Sequence, residues 1–163
     1  MNAGSCVLRR RMCAALLCLS TLPAIAQDLD ARFSCSQKRE EDTGLVTYAD
    51  SGQFRLEGNQ IREFYWESSL FRDTHGFDCS IDQGDGLQAE ATENGWRVTL
   101  GNPRAARDRR GYDWDHGINC SIRLERSGDS LQVKPSCPAL CGSRSNFSAL
   151  SVDLKTGNCR YEE

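Results

Sequence analysis

Over short stretches of this chain, apolar residues recur at every second position. That period fits strands with one buried face and does not fit helices. Trp96, Val98 and Leu100 alternate with polar residues, as do Ile118, Cys120, Ile122 and Leu124, then Leu131 and Val133, then Leu150, Val152 and Leu154. Turn chemistry separates the runs: Asp50-Ser51-Gly52, Gly58-Asn59, Asp82 to Gly86, Asn94-Gly95, Ser127-Gly128-Asp129 and Thr156-Gly157-Asn158. The pattern predicts an all-β domain, a small antiparallel β-barrel or sandwich of about 8–10 short strands. The segment after Cys137-Pro138 is compatible with a short helical turn.

The first 26 residues read as an export signal. Arg9, Arg10 and Arg11 form a basic start, Met12 to Leu22 is apolar apart from Ser20 and Thr21, and Ala24-Ile25-Ala26 gives a small-x-small cleavage pattern before Gln27. The apolar run is about half the ~20 residues a bilayer span needs, so cleavage after Ala26 is expected. Leu17 is too large for a lipobox before Cys18, and the arginines lack a twin-arginine context. The expected mature chain is then one disulfide-bonded β domain, 27–163, with no membrane anchor and a periplasmic or secreted location. The Arg-heavy, Lys-poor composition fits a bacterial source.

Of 20 basic and 23 acidic residues, the leader removes three arginines and no acid, which leaves a net charge of −6. An acidic domain argues against nucleic acid as partner. The one basic cluster, Arg104 to Arg110, is diluted by Asp108, Asp113 and Asp115 and reads as a solvated loop between strands.

Six cysteines follow the leader: Cys35, Cys79, Cys120, Cys137, Cys141 and Cys159. In an exported chain they read as three disulfides, with 15 pairings open. Cys137 and Cys141 lack a second tight pair to complete a zinc tetrahedron, so neither metal nor cofactor is expected. One internal echo bears on the pairing: His75-Gly76-Phe77-Asp78-Cys79-Ser80-Ile81 resembles His116-Gly117-Ile118-Asn119-Cys120-Ser121-Ile122. If the two segments are equivalent neighbouring strands, Cys79 joins Cys120. Cys35–Cys159 then ties the termini, and Cys137–Cys141 closes a tight loop.

Three features are candidates for function. His75 and His116, each beside carboxylates (Asp73 and Asp78; Asp113 and Asp115), have the residue types for acid–base hydrolysis, although no supporting motif accompanies them. Asp82 to Gly86 lacks the ligand spacing of a calcium loop and reads as a plain turn. A loop stapled through Cys137 and Cys141 would present Gly142, Ser143, Arg144 and Asn146 in a rigid form suited to docking. Phe64, Tyr65, Trp66 and Phe71 crowd one stretch, and some of them are candidates for an exposed patch.

Phe33-Ser34-Cys35 early, Gly157-Asn158-Cys159 late and Cys141-Gly142-Ser143-Arg144 between them resemble the layout of small periplasmic inhibitors of c-type lysozymes. That resemblance implies a compact β fold and a non-enzymatic role, with a basic cell-wall-lytic enzyme as partner and the Gly142–Arg144 loop as contact. The tyrosine of the inhibitors' Ser-Gly-x-x-Tyr loop is missing here. Two other functions stand beside this one: a small hydrolase using His75 and His116, and an envelope structural or assembly factor without catalysis.

Overall fold

The computed structural model describes residues 28–42, 44–110, 119–137, 140 and 146–162. Ten strands among them form two antiparallel sheets. The first sheet runs β1 (Asp28–Glu41), β2 (Gly44–Glu57), β3 (Gln60–Arg72) and β4 (Gly76–Asp82) as a simple meander. The second, in the order β10-β9-β8-β7-β6-β5, is built from β5 (Leu87–Thr92), β6 (Gly95–Leu100), β7 (Ser121–Ser127), β8 (Ser130–Pro135), β9 (Leu150–Asp153) and β10 (Cys159–Tyr161). Their inner faces pack together as a sandwich, and no closed barrel forms among the described residues.

The alternation read from sequence supplies the core. Phe33, Phe54, Phe64, Trp66 and Ile81 from the first sheet meet Trp96, Val98, Ile122, Leu124, Leu131, Val133, Leu150 and Val152 from the second, all at most 5% exposed. A one-residue slip in any strand would turn this set to solvent, so the pattern itself fixes the register.

Two local readings change. Asp50-Ser51-Gly52 is not a turn; it lies inside β2, which together with β1 runs 14 residues without a break. Asp50 faces inward and is hydrogen-bonded there, and Gly52 lies beneath Phe33, where an added Cβ would come within 2.5 Å of the ring. Turn-type residues are used here for a buried carboxylate and a close ring contact. The basic cluster is likewise not a loop. Pro103–Arg110 is an α-helix, α1, with proline in its first turn and the Asn102 side chain accepting from the Ala105 N–H at 3.1 Å.

The disulfides crosslink the strands. Cys35–Cys159, as expected, ties β1 to β10 with a Cα separation of 5.3 Å. Beside it, Ser34 N–H donates to Gly157 O at 3.3 Å, and Gly157 takes φ +73°, where a Cβ would lie 2.8 Å from Arg32 O. The other expected pairings are corrected: Cys120 bonds Cys137, neither Cys79 nor Cys141. Ile122 pairs with Pro135 in the β7–β8 register, so stepping two residues further outward sets Cys120 opposite Cys137 at the open end of that hairpin. The echoed segments are not neighbours, because β4 and β7 belong to different sheets. Cys79 is also disulfide-bonded, and Cys141 lies outside the described residues. Peptide mapping of the unreduced mature protein is expected to recover Cys35–Cys159 and Cys120–Cys137 linked peptides. Recovery of a Cys79–Cys120 or Cys137–Cys141 peptide would contradict this arrangement.

Candidate functional site

Of the two histidines, His75 sits in the exposed turn between β3 and β4, its Nδ1 2.8 Å from Thr74 Oγ1, and its carbonyl accepts from Arg72 N–H. A hydroxyl, not Asp73 or Asp78, meets the ring. His116 lies outside the described residues, as do Gly142, Ser143 and Arg144.

Asn146 is 1% exposed and serves as an interior strut. Its Nδ2 donates to Ser68 O at 2.9 Å and to Phe77 O at 3.5 Å, while Ser68 Oγ donates to Asn146 O. Its Oδ1 is buried without a hydrogen-bond partner among the described residues. Phe147 beside it packs edge-on against Trp66 at 4.6 Å between centroids. With Cys137 bonded to Cys120, the staple expected to project Asn146 outward is also absent.

The acidic turn is closed on itself. Asp82 Oδ1 accepts from Gly84 N–H at 2.7 Å, and Asp85 Oδ2 accepts from Asp82 N–H at 2.9 Å, which closes a capping box around a short 3₁₀ turn. Among the described residues, no group of three or more His, Cys, Asp or Glu side chains could hold a metal.

Two polar clusters lie on the inner face of the first sheet. Asp50, 3% exposed, accepts from Trp66 Nε1 and from Tyr161 Oη, each at 2.8 Å. Burial pushes its carboxyl above the usual range, and burial together with Asp50 pushes the Tyr161 phenol up as well. Further along, Tyr48 Oη donates to Glu41 at 2.5 Å and Arg72 reaches the same carboxylate at 3.1 Å; these two bonds hold Glu41 below its ordinary value. Both clusters spend their groups on one another, the first tying β2 to β3 and β10 and the second β1 to β2 and β3.

The outer face of the same sheet differs. From Glu63 to Phe71 on β3 and along β4, the outward positions are Glu63, Tyr65, Glu67, Ser69, Phe71, Asp78, Ser80 and Asp82, with no basic side chain among them. Tyr65 is 37% exposed and Phe71 48%, while Phe64 and Trp66 between them are buried. Tyr65 faces Asp82 in register and donates to Glu67, a bond that with partial burial raises its phenol to about 12. Parity along β3 already separates these aromatics in the sequence: odd positions face out and even ones in.

No family model, curated protein or solved structure matches the chain. Its own fold and surface define it as a disulfide-crosslinked β-sandwich whose outer face along β3 and β4 is acidic and partly aromatic.

Proposed function

We propose that the mature chain is an exported, non-enzymatic binding protein that inhibits, or gives immunity against, a basic cell-wall-lytic enzyme such as a lysozyme. The observation that carries this reading is the face of β3 and β4. Four carboxylates (Glu63, Glu67, Asp78 and Asp82) surround two half-exposed aromatics with no cation among them. Exposed aromatics supply contact area, and a field of one sign speeds encounter with a partner of the other. The leader with its expected cleavage after Ala26, the periplasmic or secreted location and the net charge of −6 agree with it. So do the disulfides, which persist in oxidising compartments. Among the described residues, no helix is long and apolar enough to cross a membrane.

The test is inhibition of a basic lysozyme by the oxidised mature protein over a salt series. Inhibition that weakens steeply as salt rises is expected. No inhibition at low salt, or inhibition indifferent to salt, would remove the reading.

A further inference from the structure

β1 lies at the edge of the first sheet, and its two halves differ. The tight turn between Glu41 and Gly44 makes that pair hydrogen-bonded, so odd positions of β1 direct their N–H and C=O groups to β2 and even positions direct theirs outward. In the first half the outward groups find partners. Asp28 O accepts from Arg126 Nη1 at 3.1 Å, and Ser34 N–H donates to Gly157 O at 3.3 Å where Asn158 bridges to the strand. From Ser36 to Glu41 the edge is open: the outward main-chain groups of Ser36, Lys38 and Glu40 make no hydrogen bond among the described residues. On β5, the edge of the second sheet, the Ala91 N–H is capped by Asn59 Oδ1 at 2.7 Å. An open row of main-chain groups is a template for another strand.

The side chains at this edge are unspent as well. Lys38 and Glu40 are exposed and form no ion pair among the described residues, whereas Asp30, Glu41 and Glu57 on the same sheet are each paired with an arginine. These charges select the strand that fits. A second copy of β1 can add antiparallel only with even positions facing even positions. Centring the pair on Lys38, or on Glu40, sets like charges opposite, which is unfavourable. Centring it on Gln37 brings in Ser34, whose N–H is already given to Gly157. Centring it on Arg39 sets Lys38 of each copy opposite Glu40 of the other, two matched pairs about a two-fold axis. Arg39 then meets Arg39 on the other side of the strand. There each guanidinium is held by its own copy, 5.7 Å from the centre of the Tyr48 ring and 3.1 Å from Gln37 Oε1.

We propose that the mature protein forms a two-fold dimer in which the Ser36–Glu41 edges of two copies pair antiparallel about Arg39 and join their first sheets into one. The charged edge then acts in two ways: it refuses strands without matching charges and admits its own. Even positions of both copies point to one side, so the two β3–β4 faces lie on the same side of the joined sheet. Five strand spacings separate the two β3 strands, roughly 24 Å. The contact is short, and the dimer is a weak one. It leaves the β3–β4 face open and does not depend on the function proposed for that face.

The test is sedimentation equilibrium of the oxidised mature protein at low salt, up to millimolar concentration. Wild type is expected to show a monomer–dimer equilibrium. Lys38→Glu and Glu40→Lys should each weaken it about tenfold, because each turns both matched pairs into like charges. An equimolar mixture of these two variants should regain the wild-type affinity, since each edge then meets its complement. Both variants keep a net negative charge, so attraction between whole molecules does not produce that recovery. Lys38→Pro removes an N–H that the domain itself does not use and should abolish the dimer. Wild type that stays monomeric at every concentration would overturn the proposal. So would a dimer indifferent to the charge reversals, which would form through another surface, or a mixture that associates no better than either variant alone. If Lys38→Pro does not fold, the two charge reversals on exposed side chains decide.

Discussion

Trp66→Ala is expected to remove roughly 4 kcal/mol of unfolding free energy, the upper range for truncating a buried aromatic. The indole is fully buried, edge-on to Phe147 and to Phe54, and its Nε1 donates at 2.8 Å to the buried Asp50. The substitution therefore opens a cavity and also strips a donor from a carboxylate that water barely reaches. Against a total of about 5–15 kcal/mol for a domain of this kind, that loss is roughly a quarter or more. Tyr65→Ala, one residue away on the opposite face, is the control and should cost below about 1 kcal/mol. Denaturant titration of both variants checks the contrast, and equal losses would mean β3 does not alternate as described.

The same site carries a pH signature. The Asp50 carboxyl is raised above its unfolded value, so the folded state binds its proton more readily than the unfolded one. Its contribution to stability is therefore full below the unfolded pKa and is lost as pH rises through the folded pKa. Glu41, Glu125 and Asp153 are shifted the other way and favour folding as pH rises. Comparison with Asp50→Asn cancels those groups: the melting temperature of the variant relative to wild type should climb from acid toward neutral pH. A flat difference would show that the ionisation of Asp50 is not linked to folding.

How much of this was legible can be argued residue by residue. Period-two alternation located the inward faces of β6 to β9, because burying one face of a strand leaves a direct mark on sequence. Asp50-Ser51-Gly52 misled because aspartate and glycine serve turns most often, and nothing local tells a buried hydrogen-bonded carboxylate from an exposed one. The Cys120–Cys137 bridge was within reach. Counting outward from the Ser127-Gly128-Asp129 turn pairs those two positions, whereas the echo around Cys79 and Cys120 carries no information on which sheet each strand joins. For α1, Asn102-Pro103 is a helix-start signal that attention to charge passed over. The outer face was half visible. Parity sorts Tyr65 and Phe71 from Phe64 and Trp66, but the carboxylate Asp82 opposite Tyr65 depends on the β3–β4 register.

Partner binding should follow that face and not the loop at Gly142 to Arg144. Tyr65→Ala is expected to weaken affinity for a basic lytic enzyme by about 2 kcal/mol, near thirtyfold, as truncating an aromatic anchor does. Asp78→Lys should act differently. Asp78 is exposed on the outer surface of β4, so reversing its charge should slow association most at low salt, with little change in dissociation. Both variants should melt within a few degrees of wild type, since neither side chain enters the core. Arg144→Ala provides the opposing case: a guanidinium forking onto paired carboxylates in a glycan-cleaving site would make it the costly change. Association and dissociation rates for the three variants, taken at two salt concentrations, separate these surfaces. A large loss in Arg144→Ala beside unchanged Tyr65→Ala and Asp78→Lys would move the contact to that loop. The expected pattern is the reverse, because a partner that must meet four carboxylates at once gains little from a further cation on this side of the interface.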